Sequence, residues 1–285
     1  MNRIVLGVDI GGSHISSALI DLTNKVEIEN SWSRAKINSK GPANEIIADW
    51  ANTMEESMRV CSVRPSKISI AMPGPMDYGK GICKIKDQDK YNSFYNLNIK
   101  EMLSDCLNIE TSKINFFNDA ACFLKGEVYS GSLSGFDKAI GITLGTGLGT
   151  SCFSNGNAVD ANLWKMPFLN GIAEDYISTS WFIKRYFELN GIIVKDVKDL
   201  IDNHSGCALF TQVFKEFSEN LANFLHKFIK KEMPFAAVIG GNIANAEAYF
   251  LKDTREHLAH CMGYSFPIRI STLGERAMLI GAGSS

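Results

Sequence analysis

The chain has 285 residues, 45% of them hydrophobic and 21% charged, with 29 Lys and Arg against 31 Asp and Glu and a formal net charge of -2. These proportions exclude a disordered or collagen-like chain and leave room for one large domain or two modest ones. So balanced a charge gives no overall attraction to nucleic acid or to an anionic membrane.

Seven cysteines are scattered at 61, 83, 106, 122, 152, 207 and 261 with no CxxC pair, which excludes a zinc ribbon or a thioredoxin-type motif. They read as reduced core thiols of a cytoplasmic protein. The opening MNRIVLGVDIGG has the character of a strand and a glycine turn rather than a secretory signal. No apolar run approaches the ~20 residues of a membrane span.

In chain order, residues 4–8 predict a short apolar strand, followed by Asp9, Gly11-Gly12-Ser13 and a second strand over 15–20. Ile46, Ile47, Trp50, Met54 and Met58 recur at helical spacing. Residues 67–72 predict a buried strand ending in Pro73-Gly74-Pro75, and 77–98 a long loop of the kind that often carries function. A short helix is predicted around 99–106. Residues 114–117 predict another strand, closed by Asn118-Asp119 at the start of a helix.

Residues 139–144 form the next predicted strand and run into Gly145-Thr146-Gly147-Leu148-Gly149 and a further strand. Residues 155–171 read as loop and 173–189 as an amphipathic helix. Phe210, Val213, Phe214, Phe217, Leu221, Phe224, Leu225, Phe228 and Ile229 form one apolar stripe, ending in Lys230 and Lys231 where the helix dipole favours cations. The stripe reads as core. Residues 236–239 predict a strand before Gly240-Gly241-Asn242 and another helix.

GVDIGGSHISS at 7–17 and GITLGTGLGTS at 141–151 repeat one form at a constant offset of 134, with Gly7 matching Gly141 and Gly11 matching Gly145. IAMPGP at 70–75 and VIGGNI at 238–243 follow as apolar strands ending in turns. Two copies predict a duplicated α/β chain of two facing halves rather than a solenoid.

Four constellations carry the candidate chemistry. Glycines at Gly11-Gly12-Ser13 leave backbone N–H groups open to phosphate oxygens, and Asp9 beside them suits Mg²⁺, directly or through water. Gly145-Thr146-Gly147 has the same character. Its GxGxG spacing and the strand that follows exclude the dinucleotide fingerprint, and no GxxxxGK[ST] occurs. Asp119 at a strand end suits a base that takes the proton of an attacking hydroxyl, while helix capping explains Asn118-Asp119 equally well. Gly240-Gly241-Asn242 lets a flat ring or ribose lie against backbone, or is a plain turn. His257 and His260 near Cys261 read as surface-helix residues more readily than as a metal site.

Taken in order, these motifs resemble the actin-like ATPase and sugar-kinase superfamily, and within it the ROK family. The resemblance spans nearly the whole chain through LGVDIGGSHI, AMPGPMD, FFNDAACFLKGE, ITLGTGLGTS, VIGGNIANA and LGERAMLIGAG. It implies two duplicated actin-like (ribonuclease H-like) α/β domains around a nucleotide cleft, with ATP and Mg²⁺ and domain closure over the substrates. The domains would span 1–117, completed by 273–285, and 118–272.

The resemblance assigns Asp9, Gly11, Gly12 and Ser13 to the first phosphate motif and Gly145, Thr146 and Gly147 to the second. Gly240, Gly241 and Asn242 fall on the adenosine side, Gly74 and Asn118 at the sugar, and Asp119 becomes the catalytic base. His14 stands where a lysine often follows the first motif. Zinc-bearing members carry GELGH and CxCGxxGCxE. Here the region reads ANLWKMPFLNGIAEDYIS, with Asn162 and Lys165 in place of the glutamate and histidine, and Glu174 matching the glutamate that contacts sugar.

The implied protein is a cytoplasmic, glucokinase-like ATP-dependent kinase of a hexose or N-acetylhexosamine without structural zinc, expected as a homodimer with no nucleic-acid or membrane partner. Regulatory members carry a DNA-binding domain ahead of the first motif, and only eight residues precede Asp9 here. The altered residues at 162 and 165 keep open a catalytically silent sugar- or nucleotide-binding protein on the same fold.

Overall fold

The computed structural model describes residues 3–60, 64–88 and 90–285, and Cys61 falls outside them. The chain is α/β and divides into two units, Met1–Gly131 with Glu275–Ser285, and Ser132–Gly274.

The first unit is built on a mixed sheet. Strands β1 (Ile4–Ile10) and β2 (His14–Asp21) form an antiparallel hairpin, extended by β3 (Val26–Glu27) and β4 (Ser33–Lys36) on β2. After α1 (Ala43–Met58), β5 (Ile68–Met72) lies parallel to β1. A small hairpin of β6 (Met76–Asp77) and β7 (Ile82–Cys83) gives structure to part of the predicted long loop. Helix α2 (Ile99–Leu107) leads to β8 (Ile114–Asn118), parallel to β5, and α3 (Asp119–Tyr129) follows without a break.

Both faces of this sheet are covered, which is why its strands read as apolar runs rather than alternations. Leu6, Val8 and Ile10 pack with Trp50, Met54 and Leu103 of α1 and α2. The opposite face receives α3 and the C-terminal helix, Arg276–Gly283. Those two helices approach so closely that a Cβ on Gly126 would collide with the Ala277 carbonyl, and one on Gly281 with the Cys122 carbonyl. This packing groups residues 118–131 with the first unit, whereas the motif-based boundary fell at 117/118.

The second unit repeats the plan. β9 (Lys138–Leu144) and β10 (Leu148–Ser154) form an antiparallel hairpin continued by β11 (Asn157–Asp160). A two-stranded ribbon, β12 (Pro167–Phe168) with β13 (Gly171–Ile172), follows. Helices α4 (Thr179–Asn190), α5 (Val197–His204) and α6 (Ala208–Glu232) lead to β14 (Ala236–Gly240), parallel to β9. Helix α7 (Glu247–Met262) then leads to β15 (Ile268–Ile270), parallel to β14.

The sheet orders are β3-β2-β1-β5-β8 and β11-β10-β9-β14-β15, so each unit has an antiparallel hairpin and a parallel extension in the same places. The Phe stripe of α6 lies buried in the second core with Phe168, Phe182 and Phe250. Each fully buried side chain of this kind contributes about 1.5–3 kcal/mol.

The predicted helix over 173–189 is broken. Residues Ala173–Asp175 make a single 3-10 turn in which the Asp175 carboxylate accepts the Ile172 amide at 2.9 Å, and extended Ser178 separates it from α4. Residues 155–171, read as loop, contain β11 and the ribbon. Short strands of two to four residues carry too little periodicity to be seen in sequence.

Candidate active site

In the first unit the carboxyl ends of parallel strands β1, β5 and β8 share one edge, the edge where open α/β sheets take ligands. Asp9, the Pro73-Gly74-Pro75 segment and Asn118-Asp119 all lie there. Asp9 is paired with Ser16 on β2 and Ala71 on β5, Ser16 with Arg34 on β4, and Ala71 with Phe117 on β8. Directly paired residues share a face of the sheet, so Arg34, Ser16, Asp9, Ala71 and Phe117 form one row under α3 and the C-terminal helix.

Burial first, then the charges of Asp119 and Glu275, push the Asp9 carboxyl up to about 7 against the opposing charge of Arg34. Arg34 also pairs with Glu275 at the start of the C-terminal helix. No sequence motif marked Arg34, and Glu275 lies in the LGERAMLIGAG stretch with no role assigned to it. Only the cross-strand register brings Arg34 to Asp9.

The turn between β1 and β2 is closed by the Gly11 amide donating to the His14 carbonyl at 2.9 Å. Gly12 and Ser13 are exposed. Among the described residues nothing requires glycine at Gly11 or Gly12: an added Cβ would meet the His14 carbonyl at 3.5 Å and the Lys90 side chain at 3.6 Å respectively, both ordinary contacts. Tyr91, fully buried, donates its hydroxyl to the Gly11 carbonyl and so fixes the turn from behind.

Asn118 performs the capping role foreseen for it. Its side-chain oxygen accepts the Ala121 amide at 3.0 Å, and its amide nitrogen donates to the Tyr78 hydroxyl at 3.4 Å. The Asp119 carboxylate accepts the Ala120 amide at 2.8 Å. Tyr78 donates to the Met72 carbonyl at 3.0 Å, and its hydroxyl stands 3.2 Å from where a Cβ on Gly74 would be. Gly74, Tyr78 and Asn118 therefore form one cluster. Neither Tyr78 nor Tyr91 was foreseen; the length of the loop that carries them was the only signal.

In the second unit, the Gly145-Thr146-Gly147 turn and Gly240-Gly241-Asn242 share the carboxyl edge of parallel β9 and β14. Gly145 has no atom near its missing Cβ, whereas Gly241 has φ +85° and lies against the Leu144 carbonyl, so a side chain there is excluded twice over. Thr179 donates its amide and its hydroxyl to the Gly145 carbonyl at 2.8 and 2.9 Å. Glu174 accepts the Leu148 amide at 2.8 Å, which joins it to the second turn. Asn162 and Lys165 are exposed. Asn162 is left-handed with φ 52°, its amide donates to Asp160 at 2.7 Å, and the Lys165 ammonium lies 5.8 Å from the Trp164 ring centroid.

Among the described residues, no group of three or more His, Cys, Asp or Glu side chains is arranged to hold a metal ion. No helix among them is long and apolar enough to cross a membrane. The acidic surroundings of Asp9 fit a divalent cation that keeps most of its ligands from water and phosphate, as Mg²⁺ does.

The model of the ROK family matches residues 5–161. An N-acetylgalactosamine kinase of Shewanella sp. (strain ANA-3) is 22% identical over 280 residues, covering 88% of this chain and 87% of that protein. The crystal structure of a ROK hexokinase from Thermus thermophilus superimposes with a TM-score of 0.79 at 20% identity, covering 99% and 97% of the two chains. That of a ROK family glucokinase from Streptomyces griseus, in complex with glucose and AMPPNP, gives 0.77 at 18% identity and 98% of both.

Proposed function

The chain belongs to the ROK family, and from that premise we propose that it is an ATP-dependent kinase that phosphorylates a hydroxyl of a hexose or N-acetylhexosamine. The observation that carries this reading is the recurrence, at the same place in two sheets of the same order, of a glycine hairpin turn, with Asp119 at the strand end of the first unit.

In this reading the amides of Gly11, Gly12 and Ser13 and those of Gly145, Thr146 and Gly147 take phosphate oxygens of the nucleotide. Gly240, Gly241 and Asn242 lie against its nucleoside. Asp9 would hold Mg²⁺, directly or through water, and the ion supplies neutralisation of phosphate charge when bound with ATP. Asp119 accepts the proton of the sugar hydroxyl as that oxygen attacks, help worth typically ~10²–10⁴ in rate. Asn118, Gly74, Asn162, Lys165 and Glu174 orient the sugar. Most of the catalysis is positioning and electrostatics, since phosphoryl transfer leaves little covalent work to the protein.

The curated relative, named for N-acetylgalactosamine, and the solved glucokinase with glucose and AMPPNP support this substrate class. A panel of hexoses, N-acetylhexosamines and polyols with MgATP, followed by ADP release and product mass, tests it. ADP release with one sugar and a phosphorylated product is the expected result. An amide at 162 and an ammonium at 165 also favour a second reading, a silent binding protein. Absence of turnover on the whole panel, with MgATP binding intact, selects that reading. Elemental analysis of the purified protein is expected to show no stoichiometric zinc.

A further inference from the structure

We propose that Lys90 is a phosphate-binding residue of the nucleotide site, delivered to the first glycine turn by its neighbour Tyr91. The proposal rests on the reading of Gly11, Gly12 and Ser13 as a phosphate turn.

Tyr91 is an anchored residue. It is fully buried, its ring packs on Trp50 and Phe94 at centroid distances of 5.6 and 5.9 Å, its amide donates to the Ser39 carbonyl at 2.7 Å, and its hydroxyl donates to the Gly11 carbonyl. It does this in a left-handed conformation, φ 58°, which a bulky side chain adopts only when its surroundings impose it. The backbone at 90–91 is thereby fixed beside the turn.

That anchor places Lys90 alongside Gly12. The Lys90 stem is the one neighbour within 4 Å, among the described residues, of a Cβ built on Gly12. Lys90 is half-buried, and its ammonium has no ion pair or hydrogen bond among the described residues, although lysines and carboxylates elsewhere in the chain form such pairs. The turn itself, Gly11-Gly12-Ser13-His14, contains no lysine or arginine; the charges of Asp9, Asp119 and Glu275 nearby are negative, and the one nearby cation that bears on Asp9, Arg34, is already paired with Glu275. Backbone amides alone would face phosphate against this field. An ammonium on a flexible stem is the usual point-charge partner of a phosphate, and here the stem of one lies at the turn with no other partner for its charge among the described residues. The exposed, side-chain-free surface of Gly12 leaves room for both.

The test compares wild type, Lys90→Met and Lys90→Arg for binding of MgATP and of adenosine by calorimetry, with circular dichroism to check folding. Lys90→Met is expected to weaken MgATP binding about tenfold or more, the scale of one charge-assisted hydrogen bond, and to flatten its salt dependence. Adenosine, which has no phosphate, should bind both proteins within twofold, and Lys90→Arg should recover most of the lost MgATP affinity. Wild-type binding of MgATP with an unchanged affinity in Lys90→Met would overturn the role of Lys90 alone. Failure of wild type to bind MgATP would overturn the phosphate-turn reading and this proposal with it.

Discussion

Glu174 and Leu148 are joined by a hydrogen bond of 2.8 Å from the Leu148 amide to the Glu174 carboxylate, and the same oxygen stands 2.6 Å from where a Cβ on Gly147 would be. The residue proposed to meet the sugar is thus part of the wall of the second glycine turn. Loss of the acceptor leaves a partly buried amide unpaired, at a cost of about 1–3 kcal/mol. Glu174→Ala is therefore expected to raise KM for both ATP and sugar by about tenfold or more. Glu174→Gln, whose amide oxygen still accepts the Leu148 amide, should raise KM for sugar and spare that for ATP. Equal effects of both variants on the ATP value would show that this bond does not shape the turn.

The glycines of the chain separate into two kinds, and substitution by alanine distinguishes them. Gly281 and Gly126 let two helices touch through backbone, and a Cβ there strikes a carbonyl. Gly126→Ala and Gly281→Ala are expected to destabilise the fold by about 3 kcal/mol or more, seen in urea unfolding, since overpacking forces the backbone apart. Gly145 has ordinary φ and open space at the missing Cβ. Gly145→Ala should unfold within about 0.5 kcal/mol of wild type yet lose MgATP affinity severalfold, because the open space there is the one proposed for a nucleotide phosphate. A destabilised Gly145→Ala with normal nucleotide binding would contradict this assignment.

The unligated protein carries a pH dependence set by Asp9. Its carboxyl is raised to about 7 in the fold from the ordinary 3.8, so the native state holds a proton that the unfolded chain releases. The contribution to stability is fully present below about pH 4 and is lost as pH rises through 7, by at most about 4 kcal/mol. Asp119 and Cys122 on α3, Glu275, Arg34 and Tyr91 are the other titratable or charged groups facing this carboxyl. Asp9→Asn should remove the slope and be more stable than wild type at pH 8. Parallel stability profiles for the two proteins, measured by urea unfolding from pH 4 to 8, would dismiss the effect. Binding of MgATP to wild type near pH 6.5 should release protons, visible as buffer-dependent calorimetric heats.

Asp119 tests the proposed chemistry most directly. Asp119→Asn retains an oxygen for the Ala120 amide and so preserves the start of α3. Turnover is expected to fall by ~10²–10⁴ while MgATP binding and the unfolding midpoint stay near wild type. Turnover within a factor of a few of wild type would remove Asp119 from the role of base.

Much of the fold was legible because its strands and long helix obey simple periods. The Phe stripe of α6 runs at helical spacing, and the 134-residue offset between the glycine turns marks two sheets with one strand order. The short ribbon at 167–172 and the break at Ser178 were not legible, since two-residue strands and a single 3-10 turn are fixed by side-chain contacts such as that of Asp175. Asn118 shows both sides: its place at a strand end followed from sequence, while its hydrogen bond to Tyr78 joins residues forty positions apart.

The sequence by itself determined the α/β class, the duplication, the two glycine turns and the strand-end Asp119, because each is a local pattern of apolar period, turn residue and cap. Only the tertiary structure decided that α3 belongs with the C-terminal helix, that Arg34 shares a row with Asp9, and that Tyr91 grips the first turn while Lys90 lies along it. Those relationships depend on strand register and on close backbone approach between segments far apart in sequence, and no local pattern encodes either.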